Sequence, residues 1–245
     1  MAIPPEKVSL EDKLVLVTGG ARRVGQAIAK ELALHGAQVA IHYRESKEEA
    51  QALAKSLGRG SFAIAAELRD PVQVEALCKN VRQNSQSGKI DHLVNNAALF
   101  RRTPFRALSD EAWQEMLDVN LTAPMRCVRW AQVEGLSSVV NLIDIAAWQP
   151  WKAFSAYAVS KAGLLHLTRI LAKELAPTIR VNAVAPGTSL FPEDYDEASK
   201  EQVLAKIPLQ RIASPEEIAR TVRFLLEEPY LTGVCLPVDG GQGLH

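Results

Sequence analysis

Short apolar runs alternate with stretches of helical spacing along almost the whole chain. Lys13–Thr18, Ala37–His42, Phe62–Ala66, His92–Asn95, Ser138–Ile143, Ile179–Val184 and Val234–Val238 read as strands. Between the first two, Arg23–His35 keeps helical spacing through Val24, Ile28, Leu32 and His35, and Gly36 ends it. Glu48–Leu57 is a second helix, followed by Gly58 and Gly60. Pro71–Asn84 is a third, with Asp70 as N-cap and Pro71 in the first helical position. Ser109–Arg129 is a long helical region, opened by Ser109 and interrupted near Thr122–Pro124. Ser155–Leu175 and Pro215–Leu226 complete the set, the latter capped by Ser214. The alternation predicts an α/β fold, a doubly wound parallel sheet with helices on both faces.

Gly187–Leu209 breaks the alternation. It is polar, poorly periodic and acidic over Glu193–Glu197. It follows the end of a predicted strand, where ligands bind in such sheets. It reads either as a mobile substrate lid or as a surface loop. No Gly/Ser-rich or proline-rich linker divides the chain and no internal repeat is evident, so the 245 residues are read as one domain.

Hydrophobic residues make up 47% and charged residues 23%, a globular balance that argues against disorder as the main state. Lys+Arg is 28 and Asp+Glu is 28, so a large basic surface for nucleic acid is not suggested. Met1–Val8 lacks the apolar core of a secretory signal, and runs such as Leu14–Val17 are too short to cross a membrane. Cys78, Cys127 and Cys235 are odd in number and form no CxxC, so no disulfide framework is expected. His35, His42, His92, His166 and His245 show no HExxH spacing, and no metal is expected. The expectation is a reduced, cytoplasmic chain with a small-molecule substrate and neither nucleic acid nor membrane as partner.

Thr18-Gly19-Gly20-Ala21-Arg22-Arg23-Val24-Gly25 joins the first strand to its helix. Glycine permits a tight turn and lets backbone N–H groups approach a pyrophosphate, and the helix N-terminus adds partial positive charge. The strand–turn–helix context is the one this mechanism requires. The second strand ends in His42-Tyr43-Arg44-Glu45-Ser46. An acid at the strand tip would accept from the ribose hydroxyls and select NAD. Here the tip carries Tyr43 and Arg44, and Glu45 comes late. Arg44, Ser46 and Arg22 offer partners for a 2′-phosphate, so NADPH is the expected cofactor.

Tyr157-Ala158-Val159-Ser160-Lys161 is a YxxxK near the start of a long helix, and one helical turn puts both side chains on one face. A free tyrosine titrates near 10, and bringing it to about 7 takes roughly 4 kcal/mol of preferential phenolate stabilisation. A nearby ammonium acts in that direction.

Together the glycine turn, Asn95-Asn96-Ala97 at the end of the fourth strand, the YxxxK and Pro186-Gly187 resemble the short-chain dehydrogenase/reductase family over nearly the whole chain. The resemblance implies a single-domain Rossmann-type fold. It implies Tyr157 as proton donor or acceptor, Lys161 as the residue that binds the nicotinamide ribose and tunes Tyr157, and Asn120 in a proton relay. As a polar helix residue, Asn120 also has a local hydrogen-bonding reading. The cofactor residues implied are Gly19, Arg22, Arg23, Val24 and Gly25 in the turn, and Tyr43, Arg44 and Ser46 at the second strand. Glu67, Leu68, Asn96, Ala97, Tyr157, Lys161, Pro186 and Gly187 complete them. Glu67 stands where the family usually has Asp. Members of the family are commonly homotetramers.

Three departures narrow the substrate. Arg23 replaces the middle glycine of the turn, Asp144 replaces the usual Ser thirteen places before the Tyr, and Phe100 follows Asn96-Ala97-Ala98-Leu99. An ionised Asp144 disfavours the Tyr157 phenolate while Lys161 favours it; the balance is expected to keep Tyr157 protonated, a donor suited to reduction. The combination resembles the pteridine reductases of the family. It implies Arg23 near cofactor phosphate and pterin, Asp144 working with Tyr157, and Phe100 stacking a flat pterin against nicotinamide. Arg23, Phe100, Asp144 and Tyr157 are thus the expected substrate contacts, with Trp148 and Trp151 as further candidates. The rival expectations are reduction of a carbonyl (an oxoacyl thioester, steroid or sugar) and a non-catalytic NADP(H) sensor, which the intact Tyr157 and Lys161 oppose.

Overall fold

The computed structural model describes residues 7–85, 87–133, 135–191 and 196–244. Seven strands form one parallel sheet in the order β3-β2-β1-β4-β5-β6-β7. They are β1 (Leu14–Val17), β2 (Gln38–Tyr43), β3 (Phe62–Ala65), β4 (His92–Asn95), β5 (Ser138–Leu142), β6 (Arg180–Pro186) and β7 (Cys235–Val238). The chain runs outward from β1 to β3 and then returns to lay β4 on the other side of β1. Val15 pairs with Val39 of β2, and Leu16 with Leu93 of β4. The reversal between β1 and β4 is where a doubly wound sheet opens a ligand crevice. The protein is a single-domain α/β Rossmann-like fold.

Both faces of the sheet are dry. Val15 and Val17 point into a core with Ile28 and Leu32 of α1 (Arg23–Leu34), Leu53 of α2 (Lys47–Leu57) and Val222 of α8 (Pro215–Glu227). Leu14 and Leu16 point the other way, onto Leu77 of α3 (Pro71–Gln83) and Cys127 of α5 (Ala123–Ala131). Consecutive apolar residues in β1 therefore serve two cores, the signature of a parallel strand covered on both sides.

Helix starts follow local chemistry. Asp70 accepts from the N–H groups of Val72 and Gln73 at 2.8 and 3.4 Å, with Pro71 behind it. Ser214 and Glu217 form a reciprocal capping box at α8. The helix α1 is different: Arg22 at its N-cap makes no side-chain cap and no acid lies in its first turn, so its N–H groups face the crevice uncapped.

Two regions gain detail beyond what the sequence showed. The long helical region is interrupted near Thr122–Pro124, as expected, but by a π turn rather than a stop. It continues from α4 (Asp110–Leu117) through a π turn (Asp118–Thr122) into α5. Pro124 has no N–H for the carbonyl of Asn120, and the helix widens instead of ending. In the stretch Gly187–Leu209, Glu197–Leu204 forms a short helix, α7, capped by Asp196. The core of the acidic run, residues 192–195, lies outside the described residues. Met1–Glu6 and His245 also lie outside them. Among the described residues no helix is long and apolar enough to cross a membrane.

Candidate active site

A cleft of about 410 Å³ opens over the carboxyl ends of β1, β2 and β4. Of the residues expected at the cofactor, Gly19, Arg22, Arg23, Val24, Gly25, Arg44, Glu67, Leu68, Asn96 and Ala97 line it. His42, Ala98, Leu99, Val119 and Leu190 join them. Tyr43 and Ser46 do not: Tyr43 packs half-buried against the core and Ser46 sits at the N-cap of α2.

The turn is held from three sides. Gly19 has φ +60°, and a Cβ there would meet Ala97 Cα at 3.0 Å. A Cβ on Gly25 would meet the Asn96 amide at 2.7 Å as well as the Gly19 carbonyl. Asn96 Nδ2 donates to the carbonyls of Thr18 and Gly19, both at 2.9 Å. Arg23 takes φ +51° without being glycine, a conformation that costs about 1 kcal/mol or more. Sequence reading missed His42 as the third support. Its Nδ1 accepts from the Gly19 N–H at 3.0 Å, and its Nε2 lies 3.0 Å from the Ala66 carbonyl, to which it donates. Burial holds this imidazole at about 4, so it stays neutral, as an acceptor at Nδ1 requires. The signal was its place one turn of strand before Arg44, inside a buried strand.

The charged side chains at the far end of the cleft are paired among themselves. Arg22 bonds Glu49, and Arg44 lies 2.7 Å from Glu45. Glu67 accepts from the Arg69 side chain and backbone, both at 3.0 Å, which holds its carboxyl below the usual range. Uncapped helical N–H groups, a glycine floor and two arginines fit a dinucleotide phosphate chain. Pro186 and Gly187 lie at the end of β6, where the Gly187 N–H donates to Val238 at 3.0 Å; they do not line this cleft.

The second cluster adjoins the first through Leu99. Asn120 grips that residue at both ends: Oδ1 accepts from its N–H at 2.8 Å and Nδ2 donates to its carbonyl at 2.9 Å. Nδ2 also reaches Ser160 Oγ at 3.1 Å, and Ser160 donates to the Tyr157 carbonyl at 2.6 Å. The side chain of Asn120 thus positions the loop after β4, while Lys161 donates to the Leu142 carbonyl at 2.9 Å. Sequence reading assigned Ser160 no role, although it stands inside the YxxxK.

Tyr157 and Lys161 project from α6 (Ser155–Glu174), and Asp144 follows β5. Tyr157 donates its hydroxyl proton to Asp144 Oδ2 at 2.8 Å, and the Ala146 N–H donates to Asp144 Oδ1 at 2.8 Å. Burial pushes the Asp144 carboxyl up to about 6, against its two hydrogen bonds and Lys161. Burial and the Asp144 charge push Tyr157 well above its ordinary value. Burial brings Lys161 down to about 8, with Asp144 opposing. Lys161 Nζ sits 5.8 Å from the Tyr157 ring centre. The phenol is a proton donor in this arrangement.

Phe100 lies on this cluster, half-exposed. Its ring meets Tyr157 edge-on, 4.9 Å between centres, and stacks on Phe154 at 4.9 Å and 19°. Phe154 was missed; Trp151, one of the two tryptophans considered, stands edge-on behind it at 6.0 Å. Trp148 is more exposed, its Nε1 beside Gly243.

A seven-stranded parallel sheet with a glycine-turn cleft and a buried Tyr–Lys pair defines a nucleotide-dependent reductase fold. Comparison with known proteins gives the family. A family profile described as Enoyl-(Acyl carrier protein) reductase matches residues 19–243. The 3-oxoacyl-[acyl-carrier-protein] reductase FabG of Staphylococcus aureus is 38% identical over 94% of this chain and 98% of its own. Among solved structures, FolM alternative dihydrofolate reductase 1 from Brucella suis, in complex with NADP, is 39% identical with a TM-score of 0.88, over 96% of this chain and 97% of its own. A blue fluorescent protein from a metagenomic library, in complex with NADPH, is 33% identical with a TM-score of 0.87, over 96% of this chain and 99% of its own. The chain belongs to the short-chain dehydrogenase/reductase family.

Proposed function

We propose that the protein is an NADPH-dependent reductase of a pterin or a related C=N heterocycle. The observation that carries this reading is the hydrogen bond from Tyr157 to the buried carboxyl of Asp144 at 2.8 Å. A hydroxyl in that place would polarise a carbonyl; a carboxyl that titrates near neutrality can pass a proton to a ring nitrogen. When bound, NADPH supplies the hydride.

The chain's own residues manage position and proton. The turn from Gly19 to Gly25 and Arg44 hold the phosphates. Lys161 lies beneath the Tyr157 ring, where a ribose hydroxyl can take over the bond it makes to Leu142. With Asp144 ionised, the Tyr157 proton is directed at the carboxylate. Once Asp144 is protonated it can donate to the Tyr157 oxygen, and the phenol proton is free to face the substrate. Phe100 offers a flat face to a planar ring. The name of the similar FolM protein, a dihydrofolate reductase, agrees with this reading.

Reduction of an oxoacyl thioester is the second reading, favoured by the FabG relative at 38% identity. Consumption of NADPH, followed by absorbance, separates the two. With a tail-free dihydropterin, dihydrofolate and an acetoacetyl thioester as substrates, kcat/KM is expected to be at least tenfold higher for a pterin. A higher value for the thioester overturns the pterin reading.

A further inference from the structure

Phe100 lies in residues 96–109 after β4 and stacks on Phe154 of residues 145–155, the loop after β5. Together they carry Arg101, Arg102, Arg106 and Lys152, and neither contains an Asp or a Glu. In a chain whose net charge is zero, this is a local segregation of positive charge.

The loops are built to hold that arrangement. The Thr103 N–H donates to the Ala153 carbonyl at 2.7 Å, which fixes Arg102 and Lys152 on neighbouring strands of backbone. Asn120 clamps Leu99 immediately before Phe100. Phe105–Ala107 closes into a 3₁₀ turn. Arg101 is partly neutralised by Glu115 at 3.0 Å, an acid it shares with Arg69. Arg102, Arg106 and Lys152 are exposed and have no ion pair among the described residues. Arg102 stands two residues beyond Phe100, about 7 Å along an extended chain. A planar ring on Phe100 would therefore direct its substituent across a rim of unpaired cations.

We infer that this rim is a subsite for the carboxylate-bearing tail of the substrate, with Arg102 and Lys152 as its principal contacts. The inference rests on the pterin reading and narrows it: the preferred ligand is a flat heterocycle carrying a glutamate-like tail. A flat platform with cations within one or two residues matches a ring and carboxylates joined in one small molecule. A thioester arm presents no such ring to Phe100. Arginine is the residue suited to a carboxylate here because its fork pairs both oxygens at once.

The test compares dihydrofolate with a tail-free dihydropterin in the parent, Arg102→Ala, Arg102→Glu and Lys152→Ala. Loss of one charge-assisted pair should raise KM for dihydrofolate by about three- to tenfold, with kcat held. Arg102→Glu should raise it further. KM for the tail-free pterin should stay within about twofold in every variant. Raising salt should erode the parent's preference for dihydrofolate, because exposed pairs are screened. Equilibrium binding of folate and of a tail-free pterin to the NADP-loaded protein gives the same comparison without turnover. Equal binding of the two in the parent, or equal change for both substrates in the variants, overturns the tail subsite. Poor turnover of both pterins beside good turnover of a thioester overturns the pterin reading instead, and the binding comparison still decides the rim.

Discussion

Two hydrogen bonds converge on the Asp144 carboxyl, one from Ala146 and one from Tyr157, and burial outweighs both to hold it near 6. The sign for catalysis follows. Below that value Asp144 carries a proton and can release the Tyr157 phenol toward substrate; above it the carboxylate keeps the phenol for itself. We expect kcat/KM for pterin reduction to fall as pH rises through about 6, and Asp144→Asn to lose that limb of the pH profile. Tyr157→Phe should lower turnover about a hundredfold while leaving cofactor affinity nearly unchanged, the usual scale for a positioned proton donor. A profile that stays flat through this range in the parent, or a Phe variant with parental turnover, removes the pair from the proton path. At the other end of the cleft, Arg44 pairs with its neighbour Glu45, an exposed pair of little strength. NADPH should bind at least about tenfold more tightly than NADH, about 1.4 kcal/mol, and Arg44→Ala should narrow that ratio in paired titrations. Tyr157 was legible as part of an intact motif, and Asp144 and Arg44 as chemical departures at fixed positions. Ser160, Phe154 and His42 were not, because their roles come from what the fold places against them.

At the scale of elements, the parallel sheet with helices on both faces followed from alternation, since the central strands feed two dry cores. Element ends shifted by a residue or two where pairing decides them: β6 runs on to Pro186 because Pro186 pairs with Val238. The helix α7 was not legible for a physical reason. It buries no residue, so no apolar face marks its period, and only the Asp196 cap announces it. The glycine turn after β1 shows the opposite case, where sequence identified the glycines but not the brace behind them. His42 joins the turn to the end of β3 through one acceptor and one donor contact. His42→Ala leaves the part-buried Gly19 N–H and the buried Ala66 carbonyl without the imidazole, at up to about 1–3 kcal/mol for such a group. The expected result is a lower unfolding midpoint and weaker NADPH binding together, with turnover at saturating cofactor close to the parent. Full cofactor affinity in this variant would show that the turn holds its shape without the imidazole.

For the whole molecule, buried titratable groups of opposite kind set how stability changes with pH between about 4 and 6.5. His42 and His92 are both held at about 4 by burial, the latter with Nδ1 against Ser137 at 3.2 Å and Nε2 without a hydrogen-bond partner among the described residues. A folded value below the unfolded one means that the folded state binds fewer protons. Their contribution is therefore complete above about 6.5 and is lost as pH falls toward 4, by about 3 kcal/mol each at most. Asp144 works in reverse. Its folded value is raised to about 6 from 3.8, so folding is favoured by its protonation and that contribution disappears as pH rises through about 6. The cost of burying the ionised carboxyl is then present at neutral and alkaline pH, again about 3 kcal/mol at most. The two histidines outweigh the one carboxyl, so stability should climb from about pH 4 to about 6.5 and level off above it. Asp144→Asn should gain stability relative to the parent at about pH 8 and lose that advantage at about pH 4, while His92→Gln should flatten the fall between 6.5 and 4. Urea unfolding at these three pH values, on the parent and both variants, gives the slopes directly. If Asp144→Asn shows the same difference from the parent at every pH, the carboxyl does not titrate in the folded protein as its burial requires. The proton path drawn through it would then fall with it.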